Sequence, residues 1–286
     1  MTRRAILAFA ASALLAPGAF AQSAQPATPM PSAQASAPAP ASLGGLRFLY
    51  GSGEAAALSR QTYAALEGYA LAQAARRPAE SVVLAEGATL AAPAYVPCGD
   101  KPLAAVFDID ETVILNTGLM HTRAAGPGAP RDATVLPVPG AVEAIGALKA
   151  AGITSIYNTN RTTDMTDGVI ASLVAVGLDA PVHGETLFLN GDDAMRGNKD
   201  GRRARIAEKW CVVAMAGDQL GDFSELFNHV EPVAERRRVT LSGAIGALWG
   251  RGWFTLPNTA YGTALKGSLA EIFPASAAND DTKDAN

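Results

Sequence analysis

Little in this chain of 286 residues suits a soft transition metal: it has two cysteines, Cys98 and Cys211, and three histidines. Two cysteines cannot make a zinc site unaided, and neither has a histidine at ligand spacing. An excess of positive charge is lacking too. Asp plus Glu number 27 against 23 for Lys plus Arg, a formal net charge of −4. That balance gives no reason to expect a nucleic acid polymer as partner, which would call for a basic patch. After the N-terminus no apolar run is long enough to cross a bilayer, so no membrane span is expected. There is no internal repeat, and nothing in the composition fixes an oligomeric state.

What is present begins with a segment to be removed. Arg3 and Arg4 precede the apolar run Ala5 to Leu15, and Ala19-Phe20-Ala21 follows. A basic n-region, an h-region and an A-x-A site read as a secretory signal peptide over residues 1–21. No cysteine lies near the cleavage point, which argues against a lipid anchor; a retained N-terminal anchor is the alternative. The expected localisation is therefore periplasmic or secreted, and there an unpaired couple of cysteines can be oxidised. Loss of the two arginines makes the mature chain more acidic still. Residues 22–45, rich in Ala, Pro and Ser, have too little to bury and are expected to be a flexible linker. One domain should occupy residues 46–273, and residues 274–286 a polar, disordered tail.

Within the domain, Ser52 to Arg77 reads as a helix with Ser52 as N-cap, Glu54 in the first turn and Pro78 after its end. Leu58, Thr62, Leu66 and Tyr69 recur at helical spacing and are expected to face the core. Tyr63 and Tyr69 read as packing residues. Leu103 to Phe107, five apolar residues without polar alternation, fit a strand buried on both faces. Ile153 to Tyr157, Thr186 to Leu189, Cys211 to Ala216 and Trp253 to Leu256 read as further strands. Helices are expected over Gly140 to Ala151, Met165 to Val176, from beyond Lys199 to Lys209, and over Leu241 to Leu248. Residues 117 to 138, with Gly126-Pro127-Gly128, read as a loop or very small insert. The alternation gives an α/β fold: a three-layer, Rossmann-like parallel sheet flanked by helices, with an extra N-terminal helix.

The central strand ends in Asp108-Ile109-Asp110-Glu111-Thr112. In parallel sheets ligands sit beyond the carboxyl ends of the strands. At such an end Asp-x-Asp can offer carboxylate and carbonyl oxygens to one hard cation, and magnesium (Mg2+) favours that oxygen-rich set. The competing reading is an acidic turn or helix start. Three more loops carry polar residues at matching places: Thr159-Asn160-Arg161, Lys199, and Asp218 with Asp222. Four such loops in this order resemble the haloacid dehalogenase superfamily of phosphohydrolases, whose motifs are Asp-x-Asp-x-Thr, a Ser or Thr after an apolar strand, a Lys, and Gly-Asp-x-x-x-Asp. Phe107 to Thr112 is similar to the first motif of its secreted acid phosphatase class. Asn198 to Arg203 is similar to that class's third motif, with Asp200 in place of Ser. Leu256-Pro257-Asn258 with Tyr261-Gly262, and the helix around Tyr63, resemble the bacterial lipoprotein 5'-nucleotidase and acid phosphatase family over most of residues 47 to 270. The family's larger aromatic insert after the first motif is shortened here.

The resemblance implies a role for each residue. Asp108 would be the nucleophile, forming an aspartyl-phosphate. Asp110 would protonate the leaving alkoxide and then activate water. Thr159 would bind a phosphoryl oxygen, and Lys199 would supply positive charge to the nucleophile and the transferring group. Mg2+ would be held by Asp108, Asp110 and Asp218, with Asp222 behind them orienting a metal-bound water or Lys199. Asn160, Arg161 and Tyr261 would contact substrate; for Arg161, as for Arg202, pairing with local acids is the alternative. His121, His183 and His229 follow no ligand pattern. Glu111 reads as a hinge or helix-start residue, and Asp192-Asp193 as an acidic loop. In the superfamily's usual strand order the strands carrying the first and fourth motifs are neighbours, which implies a structural disulfide between Cys98 and Cys211. The implied function is a secreted, magnesium-dependent acid phosphatase hydrolysing small phosphomonoesters, with nucleoside monophosphates as best guess. A phosphotransferase using the same intermediate and a non-catalytic phosphate- or nucleotide-binding protein are the alternatives.

Overall fold

The computed structural model describes residues 43–117, 134–193 and 198–273. The expected signal peptide, most of the linker, the bulk of the Gly/Pro-rich insert with His121, and the tail from Pro274 lie outside the described residues. The strands are β1 (Glu80–Leu84), β2 (Tyr95–Pro97), β3 (Leu103–Phe107), β4 (Ile114–Leu115), β5 (Leu136–Pro137), β6 (Thr154–Thr162), β7 (Leu187–Asn190), β8 (Cys211–Gly217) and β9 (Trp253–Thr255). The longer helices are α1 (Leu43–Gly51), α2 (Gly53–Arg76), α3 (Ala141–Ala150), α4 (Thr166–Ala175), α5 (Asp200–Lys209) and α6 (Val233–Leu241).

Five strands form the main sheet in the order β7-β6-β3-β8-β9, every pairing parallel. The order makes β3 the centre, and its sequence suits that place. Ala105 and Phe107 face one apolar cluster, with Leu66, Leu148 and Leu173 from α2, α3 and α4. Ala104 and Val106 face the other, with Ile206 from α5 and the rings of Phe223, Phe227 and Trp253. A strand with two buried faces needs an unbroken apolar run, and β3 and β8 both have one. Burial of Trp253 leaves no polar atom stranded, because its indole N–H donates to the Val82 carbonyl at 2.9 Å. Two antiparallel pairs, β1–β2 and β4–β5, stand outside the sheet. The second joins the first-motif loop to the far end of the Gly/Pro-rich segment.

α2 begins at its expected cap: the Ser52 side chain accepts from Ala55 N at 3.0 Å. Its buried face overlaps the expected one in part: Leu66 is fully buried and Tyr69 packs half-buried against the same cluster. Ala55, Ser59, Tyr63, Leu66 and Ala70 are buried, whereas Leu58 is 45% exposed. Ala55, Ser59 and Ala70 stand on this face beside Tyr63 and Leu66 and let the helix lie close to its neighbours, so the spacing of large apolar residues alone misplaced Leu58. The approach is tight at Gly140, where a Cβ would lie 3.1 Å from that of Tyr63 and φ is +92°. The helix α1 already starts at Leu43, inside the stretch expected to be linker, because Leu49 finds a buried site against Ala260. The helix expected over Leu241 to Leu248 is instead the end of α6 and a single turn, Gly243–Gly246. The extended backbone at Ser242 separates them.

Cys98 and Cys211 form a disulfide, Cα to Cα 4.7 Å, closing a loop of sequence separation 113. Cys211 opens β8 beside Leu103, at the amino end of the sheet. In the chain-entropy account a loop of this length contributes about 4 to 5 kcal/mol by restricting the unfolded chain.

Candidate active site

At the carboxyl end of β3 the chain turns sharply. The Ile109 carbonyl accepts from Val113 N at 2.9 Å and Ile114 N at 3.0 Å, and Glu111 takes φ +56°. The buried Tyr63 hydroxyl of α2 donates to the Thr112 carbonyl at 2.7 Å, so this packing residue also pins the loop. The turn separates the two aspartates. Asp108 is buried and points at Lys199, while Asp110 faces Arg161.

Lys199, only 3% exposed, donates to Asp108 Oδ1 and, at 2.7 Å, to Asp222 Oδ1. Its position just before α5 is fixed by its own N–H on Glu225 Oε1 at 2.9 Å. Burial alone would discharge the ammonium, but the carboxylates of Asp108 and Asp222 outweigh it and hold its pKa above the ordinary lysine value. Asp200 pairs with Arg203, and Arg203 donates to the Asp222 carbonyl at 2.9 Å. The start of α5 is thus tied to the fourth-motif loop.

That loop follows β8. Asp218 Oδ2 accepts from Asn258 Nδ2 at 2.6 Å and Gln219 Nε2 at 2.7 Å. Asp222 Oδ2 accepts from Gln219 N at 2.8 Å. Gly217 permits this geometry, since a Cβ there would collide with the Asp222 side chain. Asp108, Asp218 and Asp222 bring one carboxylate oxygen each to within 4.8 Å of one another. Three buried carboxylates thus share one buried ammonium. Burial first, and the neighbouring carboxylates after it, raise the proton affinity of two of them. Asp108 is pushed well above the ordinary carboxylate range by burial, against the pull of Lys199. Asp218 is raised to about 7 by burial and by Asp222. An all-oxygen, anionic, poorly solvated set fits a divalent cation.

A stability test follows from Asp218. In the unfolded chain its carboxyl ionises near the ordinary value of 3.8, in the folded chain at about 7. Between these values the folded state holds the extra proton, so stability is greatest at low pH and falls as pH rises through the interval. In chelator, the melting temperature is expected to fall between about pH 4 and 7 by the equivalent of about 1.4 kcal/mol for each pH unit. A divalent cation should remove most of the fall. Identical melting curves with chelator and with cation at pH 7 would contradict a cation site at these carboxylates.

The second motif lies at the end of β6. Thr159 is fully buried, and its Oγ1 accepts from Arg161 N at 3.2 Å. Asn160 is exposed and accepts from Arg202 at 3.0 Å. Arg202, also fully buried, donates to Asn158 Oδ1 at 2.7 Å; it braces β6 through neutral amides instead of pairing with an acid. Arg161 binds Asp110, with its NH2 group 2.6 Å from Oδ1. Tyr261 donates its hydroxyl to Glu111, so its outer end is held inside the protein.

Two residues of the site carried no chemical assignment in the sequence. Asn258 holds Asp218, and only its place in a family-like segment marked it. Glu111 was read as a hinge. The turn does pass through it, but its carboxyl is buried at 1% exposure and gathers donors from Tyr50, Asn116 and Tyr261. Burial raises its pKa to about 7. Asp192 accepts from His183 and from Leu189 N, closing a loop beside β7.

Residues 130–264 match the family described as HAD superfamily, subfamily IIIB (acid phosphatase). Among solved structures, the chain is similar to a class C acid phosphatase from Bacillus anthracis with tungstate bound. The TM-score is 0.62 at 22% identity, covering 81% of this chain and 93% of that one. A second structure of the class C acid phosphatase from Bacillus anthracis gives a TM-score of 0.61 at 25% identity, covering 84% of this chain and 93% of that one. No curated protein matches the chain significantly. The matched segment, just under half of the chain, the shared fold and the four loops that meet at the carboxyl end of the sheet make this chain similar to the acid phosphatases of the haloacid dehalogenase superfamily, which are phosphomonoester hydrolases.

Proposed function

We propose that the chain is a secreted or periplasmic, magnesium-dependent acid phosphatase that acts through an aspartyl-phosphate on Asp108 and takes nucleoside monophosphates among its substrates. The observation that carries this reading is the meeting of Lys199 with Asp108 and Asp222 beside Asp218, on two neighbouring strand ends and one helix start.

The site is very unlike bulk water, and the chemistry follows from that. Lys199, charged and buried, fixes one oxygen of Asp108 and leaves the other for attack. Asp108 forms a bond to phosphorus as the ester P–O bond breaks, and Asp110 gives its proton to the departing oxygen. Asp110, now a carboxylate, takes a proton from water. That water's oxygen bonds to phosphorus, phosphate departs and the Asp108 carboxylate is restored. Thr159 and the Lys199 ammonium receive the phosphoryl oxygens. Asp108, Asp218 and the Asp110 main chain would hold Mg2+, with Asp222 fixing Lys199 beside them. Bound there, the ion would offset the repulsion between carboxylate and phosphate dianion. The tungstate bound in one similar phosphatase is a tetrahedral oxyanion like phosphate, and tungstate is expected to compete with substrate in this chain.

The nucleotide preference rests on the resemblance and on Tyr261, held through its hydroxyl by Glu111 and through its backbone N–H by Asn258 Oδ1 at 3.3 Å. Phosphate release from an aryl phosphate and from nucleoside monophosphates, at acidic pH with Mg2+ or chelator, tests the whole. Turnover with Mg2+ that chelator abolishes, and a higher kcat/KM for nucleotides, are expected. Full turnover in chelator would contradict the metal assignment, and equal kcat/KM for nucleotides and glycerol phosphate the preference.

A further inference from the structure

The mechanism above uses Asp110 but leaves unexplained how a carboxyl on a sharp turn, beside a guanidinium, is aimed. The answer lies one residue on. Asn116 donates through Nδ2 to Asp110 Oδ1 at 2.7 Å and to Glu111 Oε1 at 3.2 Å. Its backbone N–H donates to the same Glu111 oxygen at 3.0 Å. Its carbonyl oxygen accepts from Arg161 at 2.9 Å. Only one orientation of this amide serves all its neighbours: nitrogen toward two carboxylates, oxygen toward the guanidinium. Glu111 enforces that orientation, and Glu111 is itself held from opposite ends of the chain, by Tyr50 on α1 at 2.8 Å and by Tyr261.

We propose that Glu111 is a positioning residue for proton transfer: through the Asn116 amide and Arg161 it fixes the Asp110 carboxyl for the leaving oxygen. The proposal rests on the reading of Asp110 as the acid. Glu111 touches neither phosphate nor leaving group. A carboxyl that must deliver a proton along one direction gains from such a brace, because small misplacements are costly in catalysis.

Leaving-group dependence separates this role from a merely structural one. A nitrophenolate departs without help, whereas an alkoxide needs the proton from Asp110. Glu111→Gln keeps the shape but replaces one acceptor oxygen by a donor. It is expected to lower kcat/KM, which reports the steps through leaving-group departure and not the later hydrolysis of the aspartyl-phosphate, about tenfold for an alkyl phosphate, part of the 10²–10⁴-fold that a general acid supplies. For nitrophenyl phosphate kcat/KM should change less than about twofold, while kcat, which includes the hydrolysis step, falls for both. Asn116→Ala breaks the same link from the other side, keeps the test available if the first variant fails to fold, and should show the same selectivity. Tyr50→Phe, which removes one donor to Glu111, should move the ratio the same way by less.

Equal losses of kcat/KM on the two substrates in a folded Glu111→Gln or Asn116→Ala protein, or no loss at all, would overturn the proposal. Asp110→Asn is the control, read on the rate of leaving-group release in the first turnover, because it blocks later turnovers on both substrates. If that rate falls equally for both, the acid assignment fails, and the proposal with it. Selectivity in Asp110→Asn without selectivity in the other two would sink the role of Glu111 alone.

Discussion

Asp108→Asn is expected to lower turnover by about 10⁴-fold or more, the scale of removing a covalent nucleophile, and to leave the protein at least as stable as the wild type. The two effects have one origin. Asp108 sits buried among Asp218, Asp222 and Asp110, with Lys199 as its compensating charge. Its raised proton affinity means that the folded state tolerates the ionised form poorly, so a neutral isostere relieves the fold. Lys199 keeps Asp222 at 2.7 Å as its counter-charge and is not stranded. The amide cannot attack phosphorus, so activity is lost while the structure is kept. Phosphate release and thermal melting of the same preparation check both halves. Loss of activity with collapse of the melting temperature would make Asp108 a structural residue.

Lys199→Met should do the reverse to the fold. Both its partners are carboxylates almost without solvent, with side-chain exposures of 8% for Asp108 and 7% for Asp222. Removing one member of a buried ion pair strands the other, at a cost of about 3–5 kcal/mol. Here two are stranded, and the preorganised positive charge at the phosphoryl group goes with them, worth about 10²–10³-fold in rate. The loss of stability should be largest near neutral pH and shrink as acid protonates the stranded carboxylates. Adding Asp222→Asn to Lys199→Met should restore part of the stability and none of the activity. Denaturant titrations of the wild type, the single and the double variant at pH 5 and pH 7 decide it. A double variant as unstable as the single one at both would show that the carboxylates were not the cause.

Much of this site was legible because its chemistry is local. Asp108, Asp110, Asp218 and Asp222 lie in short motifs directly after apolar runs, and a run such as Leu103 to Phe107 can hardly be anything but a central strand. Lys199 follows no strand, and only its order among the motifs singled it out. The disulfide was legible only through the resemblance, whose strand order sets the strand that Cys211 opens beside the one that follows Cys98.

Glu111 was less visible for a physical reason. In sequence it is an acid after Asp110 and before Thr112, as a first helical turn would have it. Its meaning comes from Tyr50, 61 residues earlier, and Tyr261, 150 residues later, and no local pattern carries a contact of that range. The same holds for α1, which looks like the end of a Pro/Ala linker until Leu49 meets Ala260. The buried face of α2 was legible only in part: Leu66 and Tyr69 pack on the core as expected, but Ser59 and Ala70 face it too, and close packing selects small residues that the spacing of large apolar ones does not count. Arg161 stayed ambiguous between substrate and local acids; in the fold it pairs with Asp110 at 2.6 Å.

The central claim is the covalent bond to Asp108, and trapping it is the most direct measurement. Enzyme mixed with an aryl phosphate and Mg2+ is quenched in acid and digested, and the peptides are weighed. A phosphoryl group on the peptide containing Asp108 is expected, accumulating in Asp110→Asn, which cannot activate the water that removes it, and missing from Asp108→Asn. Steady turnover with no phosphoryl group on that peptide, or with one on another residue, would contradict the account.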